Sequence, residues 1–542
     1  MIIYYIMFGF SSSLMFGLAI VVSVVNTILL VLMSYRILLV FQQSGYRVRP
    51  FANWIMDKRT KLFIRLFSLA LLSFGLMAIK NILFYMHLDN MYIPVVGVIF
   101  YIALGSVLIW DTSRQLKKIP LKRTPRLVRL GLVMMLLFFV ISFFLVWLGS
   151  TIINAWVGFA LIAITPLLLP EILLLSHYVI YPIEAMVRRQ FITRAKRKLF
   201  SGTYENLVRI GITGSYGKTS CKDILATMLS KKFKVAKSPN SFNTPMGFSK
   251  TVNEVLEPNH EVLIMEMGLR FVNDIGTLCD LFKPQHGLLT SIGTAHIETM
   301  VTEQAIKIEK AKLVQALPKS GIAVLGQSCK EIFDELELEN KHFVNSKDIK
   351  NIKVTKEGSQ FELFGILCKT KLLGHHNIQN IATCAKLAKE LGVEPELIAQ
   401  AISELEPTPH RLQLVNAQNG VIILDDSYNA SEQGTHAALE VLSMFNDAEK
   451  RVVQTPGIVE LGPYSESINT NFAKRIAKVA TDVIIVNDAN KQVLMCGLED
   501  AGFDKERIFQ AKSLDDAMKL YQSILKSGDV LLLANDLPDL FN

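Results

Sequence analysis

The sequence predicts a multi-domain protein in which an N-terminal α-helical transmembrane part precedes two α/β domains, the first carrying a phosphate-binding loop. Three observations lead there. About 180 strongly apolar residues open the chain, GITGSYGKTS at 211–220 closes a glycine-rich turn on Gly217-Lys218-Thr219, and short β-branched runs then alternate with helical patterns. A chain of 542 residues is also too long for one compact core. We read 1–183 as the membrane part with about five transmembrane helices, 184–204 as a basic amphipathic linker, 205–406 as the first α/β domain and 407–542 as the second.

The 51% hydrophobic content averages an apolar N-terminal regime with a soluble-looking remainder. The formal charge of +9 is concentrated in short basic runs beside the apolar segments, so membrane topology accounts for it and nucleic acid is not implied. Cys221, Cys279, Cys329, Cys368, Cys384 and Cys496 form no CxxC pair and have no His at ligand spacing, which reads as reduced core residues.

Apolar runs near 14–38, 62–86, 93–110, 128–148 and 152–180 are long enough to span about 30 Å of hydrocarbon. The first lacks a basic n-region and a cleavage site, which argues against a cleaved signal peptide. Arg47, Arg49, Lys58, Arg59 and Lys61 fall between spans one and two, and Arg114, Lys117, Lys118, Lys122, Arg123 and Arg126 between spans three and four. By the positive-inside rule these loops are cytoplasmic, which puts the N-terminus outside and the α/β domains at the cytoplasmic face of a multi-pass cell membrane protein. In the last run Glu171 follows Pro166 and Pro170; an interfacial, kinked helix end places it harmlessly, while an intramembrane carboxylate would be a functional site. Residues 184–200 combine Arg188, Arg189, Arg194, Lys196, Arg197 and Lys198 with Phe191, Ile192 and Leu199, a pattern for an amphipathic helix on an anionic leaflet.

LVRIGITG reads as a buried strand and TSCKDILATMLSKKF as a helix, so the glycine loop sits at a helix N-terminus. There free N–H groups favour phosphate, Lys218 can reach its outer oxygens and the Thr219 hydroxyl can hold Mg²⁺. Further strands at Val262 to Met265, Gly287 to Leu289 and Ile322 to Leu325 build a parallel sheet. Two of them lead to Glu266 and His296 at their carboxyl ends, where open α/β sheets bind ligands. A lone Glu or His is structural more often than not, but this pairing beside a phosphate loop suits Mg²⁺. After Pro407-Thr408-Pro409, runs at Val421 to Leu424, Arg451 to Val453, Val483 to Val486 and Val530 to Leu533 predict a Rossmann-like unit, and no GxGxxG follows them to suggest NAD.

In chain order, GITGSYGKTS, SPNSFNTPMG, MEMG with Asp274 nearby, TSIGTAHIE, IEKAKL, GHHNIQN, HRL and LDDSYNAS resemble the motifs of the Mur ligase family, most closely its D-alanyl-D-alanine-adding branch. The resemblance covers most of 205–470 and implies that the two α/β units are Mur ligase central and C-terminal domains. It also implies the reaction: ATP phosphorylates a carboxylate, and an amine attacks the acyl phosphate to form an amide in envelope-precursor synthesis. By the same resemblance Gly214, Gly217, Lys218, Thr219 and Ser220 bind the phosphates, and Thr219, Glu266, His296 and Lys310 hold two Mg²⁺ ions, Lys310 after carbamylation; a surface Lys on a charged helix is the plain alternative. Asn377 and Asn380 look like the asparagines near the adenine pocket and the domain core, Arg411 like a phosphate residue and Asp426 like a ribose residue. Lys218, His296, Lys310 and Arg411 are the implied catalytic groups.

The chain departs from the family pattern at both ends. Membrane spans stand where relatives have a domain for the UDP-sugar, QTPGIVELG replaces a GDMxELG-like stretch, Glu432-Gln433 replace an NP-like continuation, and LLLANDLPDLFN replaces a KGSR-like motif. These changes point to a small-molecule or lipid-linked envelope precursor as one partner and an amino acid or dipeptide as the other. A poly-γ-glutamate-type synthase would carry a GTRGKS-like loop and no DDSYNA. A transport ATPase would carry an LSGGQ-like signature, and a dead scaffold would not keep Lys218, Glu266, His296, Lys310 and Arg411.

Overall fold

The computed structural model describes residues 12–56, 102–103, 106, 120–152, 161–162, 164–344, 346–417, 419–428, 430–512 and 514–535. They fall into two compact units, one running to Val187 and the other beginning at Arg188. The expected spans 62–86 and 93–110 lie outside the described residues apart from 102–103 and 106, as do Lys58 to Lys61 and Arg114 to Lys118.

In the first unit, α1 (Ser12–Met33) and α2 (Tyr35–Gln43) replace the expected first span, bent by 44° at Ser34. α3 covers Pro125–Ile152, and a 3-10 turn at Thr165–Leu168 leads into α4 (Leu169–Leu199). Pro125–Leu148 and Thr165–Leu199 are long and apolar enough to cross a membrane, and the bent pair adds a third if it counts as one span. Leu30, Phe41, Phe51, Leu130, Phe138 and Leu173 share one core. Meanwhile Leu132, Leu136, Val140 and Phe144 on α3 stay exposed, a pattern water disfavours and hydrocarbon accepts. The buried Asn26 amide donates to Ser142 Oγ at 2.9 Å and Thr165 Oγ1 at 3.1 Å, the kind of bond that ties helices in an apolar surround. Among the basic residues, Arg129 pairs with Glu184 at 2.6 Å and Arg126 stacks on Tyr46 at 4.1 Å.

α4 differs from expectation in one respect: the last span and the basic segment form one helix with no break at 183, and Pro182 lies inside it. Pro166 and Pro170 sit at helix beginnings, where no N–H is missed, and Glu171 lies exposed in the first turn, where the helix dipole favours a carboxylate.

In the second unit, six parallel strands are ordered β2-β3-β1-β4-β5-β6. They are β1 (Val208–Thr213), β2 (Val235–Lys237), β3 (Val262–Glu266), β4 (His286–Leu289), β5 (Ala323–Leu325) and β6 (Lys341–Phe343). Alternation along β3 sends Ile264 to a core with Ile224, Leu225, Ile378 and Ile381, and Leu263 and Met265 to a core with Phe248, Phe282 and Leu313. Ala195 and Leu199 of α4 join the latter core. The intervening helices include α5 (Lys218–Leu229), α6 (Pro245–Glu254), α7 (Asp274–Phe282), α8 (Ile297–Met300), α9 (Glu303–Gln315) and, after β5, α10 (Lys330–Glu335).

A three-stranded antiparallel sheet, β7 (Ile349–Thr355), β8 (Gly358–Leu363) and β9 (Ile366–Thr370), then precedes α11 (His375–Glu390) and α12 (Pro395–Ser403). The second six-stranded sheet is ordered β10-β11-β15-β12-β13-β14, parallel except for its edge strand β10 (Gln413–Asn416). Its other strands are β11 (Ile422–Asp426), β12 (Arg451–Thr455), β13 (Asp482–Val486), β14 (Ile508–Ala511) and β15 (Val530–Ala534). Its helices are α13 (Glu432–Ser443), α14 (Ser465–Val479), α15 (Lys491–Asp500) and α16 (Leu514–Ile524). All six cysteines are free and five are buried; Cys496 is not the core residue expected, because it lies on the exposed side of α15.

Candidate active site

The site begins where β1 ends. Gly214 and Gly217 turn the chain with φ of +156° and +78°, and each also faces a neighbour that leaves no room for a side chain. A Cβ on Gly214 would lie 2.0 Å from Thr290 Oγ1, and one on Gly217 would lie 2.7 Å from Asn380 Oδ1. The loop between them is stitched to the segment after β4. Ser215 N donates to Ser291 O at 2.8 Å, Gly293 N donates to Ser215 Oγ at 2.9 Å, Tyr216 N donates to Ser291 Oγ at 2.8 Å, and Thr290 Oγ1 donates to the Tyr216 carbonyl. We expect Gly214→Ala to destabilise the protein by about 1–3 kcal/mol through overpacking and to remove nucleotide binding. Gly202→Ala, in open space at ordinary φ, is expected to melt within about 0.5 kcal/mol of the parent. Thermal melts with and without nucleotide check both.

Lys218, Thr219 and Ser220 form the first turn of α5. The Lys218 ammonium folds back over the loop and donates to Gly214 O at 2.8 Å and Ser215 O at 3.3 Å. Thr219 Oγ1 donates to Glu266 Oε2 at 2.9 Å, joining the loop to the carboxyl end of β3. Glu266 is buried and also accepts from Asn243 Nδ2 at 3.3 Å, while the Lys222 ammonium stands 3.7 Å away. Lys222 donates to the Asn240 carbonyl as well.

His296 caps α8 in a left-handed conformation, φ +68°, with Nδ1 4.0 Å from Glu460 Oε2. Burial first, then the charges of Lys218 and Arg270 together with any proton on Lys310, presses its pKa down to about 3, so the imidazole is neutral and its lone pair is available to a metal. Lys310, on α9, is fully buried and its Nζ has no hydrogen-bond partner. Burial first and Lys218 second hold its pKa well below the ordinary lysine value. The plain alternative, a surface lysine on a charged helix, is therefore not what the fold provides; neighbouring Glu309 is buried too, accepting from Asn273 N at 2.9 Å and Ile275 N at 3.1 Å at the head of α7.

Arg411 lies over the Tyr428 ring at 4.5 Å, and its charge opposes that of Lys218 and lowers the Asp426 pKa. Asp426, at the end of β11, accepts from Leu412 N at 3.1 Å, and burial outweighs these contacts to lift its pKa to about 7. Tyr428 OH bonds the Ser241 hydroxyl. Asn377 spends its amide on Leu373 O, 2.9 Å away, just ahead of its own helix; Asn380, one turn on, is the asparagine that abuts Gly217.

The fold thus joins Thr219 to Glu266 by a direct bond and places Glu266, His296, Lys310 and Arg411 within electrostatic reach of Lys218. Sequence reasoning missed Lys222, Arg270 and Glu460. Lys222 lies one turn beyond Lys218 on α5, a spacing that signals its direction, whereas Arg270 and Glu460 meet only through the fold. Among the described residues, no three His, Cys, Asp or Glu side chains converge on one metal position. A phosphate-bound cation would take its remaining oxygens from Thr219, Glu266 and the phosphates, consistent with the preference of Mg²⁺ for hard oxygen donors. The Lys218 ammonium at the loop and the Arg411 guanidinium within its electrostatic reach give the site positive charge suited to an anion.

Residues 212–388 match the Mur ligase middle domain, and residues 410–535 match the Mur ligase, glutamate ligase domain. The UDP-N-acetylmuramoyl-tripeptide–D-alanyl-D-alanine ligase of Bacillus subtilis is 26% identical over 335 residues, 60% of this chain and 72% of that protein. The enzyme of the same name from Synechocystis is 27% identical over 353 residues, 64% of this chain and 75% of its own length. In structure, MurF ligase from Thermotoga maritima in complex with ADP aligns with a TM-score of 0.57 at 24% identity, over 65% of this chain and 81% of that one. MurF from Acinetobacter baumannii aligns with a TM-score of 0.56 at 21% identity, over 64% and 77%.

Proposed function

Because the chain belongs to the Mur ligase family, we propose that it is an ATP-dependent ligase joining a carboxylate to an amine in cell-wall precursor synthesis. The observation that carries this reading is the convergence of Lys218, Thr219 and Glu266 at the carboxyl ends of β1 and β3, beside the buried, partnerless amine of Lys310. ATP supplies the phosphoryl group that turns the carboxylate into an acyl phosphate, and Mg²⁺ offsets the charge on the phosphates. The loop from Gly214 to Gly217 cradles those phosphates, Lys218 turns from the loop carbonyls to their outer oxygens, and Thr219 with Glu266 holds the cation. Asp426 and Arg411 bring the second α/β domain to the nucleotide, which excludes water from an acyl phosphate that water would destroy.

Lys310 fits carbamylation. Its neutral amine can attack CO₂, the nitrogen–carbon bond forms as a proton leaves, and the resulting carboxylate faces Lys218 and His296 in place of an unsatisfied amine. This conversion turns a buried liability into an oxyanion next to cations.

We further place the protein in the cell membrane as a multi-pass protein, its N-terminus outside and its ligase domains at the cytoplasmic face. The exposed apolar side of α3 supports this, as do the two helices long enough to span. Since membrane helices stand where relatives hold a UDP-sugar, the acceptor is a precursor delivered at the membrane, and a lipid-linked one fits best. The co-substrate is an amino acid or short peptide amine. ADP release by the full chain and by residues 188–542 tests this against a panel of precursors and amines, with Lys218→Ala as the blank. The full chain should turn over only with a carboxylate and an amine together, and the shortened chain should lose most of its activity on lipid-linked acceptors. Equal activity of both forms would remove the membrane from substrate delivery; ATP hydrolysis without amide formation would overturn the ligase assignment.

A further inference from the structure

We propose that Glu460-Leu461-Gly462 is the latch that closes the second α/β domain onto the nucleotide site, with Arg270 as its keeper, making Glu460 and Arg270 positioning residues of the reaction. The proposal rests on the family reading given above. Glu460 Oε1 lies 3.6 Å from the Arg270 guanidinium and Oε2 lies 4.0 Å from His296 Nδ1. Two residues on, Gly462 approaches the start of α8 so closely that a Cβ would stand 3.3 Å from Glu298 Cα. The loop after β12 therefore meets the segment that carries His296 through one carboxylate and one glycine.

Both sides are held firmly. Glu460 adopts φ +62°, a left-handed conformation that persists only where surroundings enforce it. The enforcement comes from Asn469, whose amide accepts from Ile458 N at 2.8 Å and donates to Ile458 O at 3.0 Å, and from Leu461, buried in the core of its own domain. On the other side, Asp274 Oδ2 accepts from Arg270 N at 2.9 Å and from Phe271 N at 2.8 Å, fixing the turn that presents the guanidinium. This also gives physical content to the pattern in QTPGIVELG. Within it Glu460 and Gly462 reach the first α/β domain, while Leu461 between them packs into the core of its own domain.

Titration of the full chain in detergent with Mg–ADP tests the latch. Arg270→Ala and Glu460→Ala are each expected to weaken binding about three- to fivefold, the range open to a half-exposed ion pair, with unchanged melting temperature. The double variant should bind no more weakly than the worse single one, and Arg270→Lys should keep most of the affinity. Unchanged affinity in both single variants, or losses that multiply in the double variant, would overturn the latch while leaving the ligase reading intact. If the unmodified chain does not bind Mg–ADP, the ligase reading itself fails and the latch with it.

Discussion

Lys218→Ala is expected to lower ADP release by about 10²- to 10³-fold, the scale of losing one preorganised donor at developing charge. Its ammonium rests on the Gly214 and Ser215 carbonyls, 2.8 and 3.3 Å away, so it is aimed along the loop. Burial and Arg411 lower its pKa while Glu266 raises it, which identifies Glu266 as the group that keeps the charge in place. Loss in the maximal rate with nucleotide affinity kept would assign Lys218 to the transition state; loss of affinity with the maximal rate kept would assign it to uniform binding. Retention of the full rate would remove the loop from the chemistry. Arginine at this position should not restore activity, because its larger planar head cannot occupy the same turn.

Lys310→Met should move stability and activity in opposite directions. Methionine nearly matches the volume of the lysine stem and removes a buried amine without a partner, so the fold is expected to gain about 1–3 kcal/mol. Ligase activity should fall by at least about 10²-fold, because the carboxylate proposed for Lys310 would be lost with the amine. The pH dependence follows from linkage. The folded protein holds Lys310 neutral over a range where the unfolded chain protonates it, up to the ordinary value of 10.5, so the unfolded state binds more protons and stability rises with pH through that interval. Melts of the parent in bicarbonate-free buffer should show this slope and those of Lys310→Met should not. If the substitution destabilised the protein in bicarbonate-free buffer, where the parent carries the unmodified amine, that amine would have a partner in solution and the carbamate assignment would lose its basis.

Much of the candidate site was legible because it is local. Glycines at 214 and 217, a lysine opening a helix, and acidic or imidazole groups at strand ends are dictated by short-range chemistry, and the strands at 262, 286, 323, 422, 451, 482 and 530 announced themselves by short apolar runs. Short and edge strands did not. β7, with Lys350, Lys353 and half its residues in solvent, has no apolar run to detect, and β10 lies at an edge where burial is slight. The roles of Asn377 and Asn380 were equally invisible, since both lie in one motif and only the helix phase decides which faces Gly217. The helix from Leu169 to Leu199 showed a composition change at residue 183 that the backbone ignores, because charge content changes what a helix faces and does not end it.

The bonds that tie Ser215 and Tyr216 to the segment from Thr290 to Gly293 have a pharmacological consequence. A loop that acquires its shape during folding presents a finished mould to any anion that enters. Small oxyanion fragments should therefore dock there without first ordering the backbone, and selectivity among inhibitors would have to come from whatever they touch outside the mould.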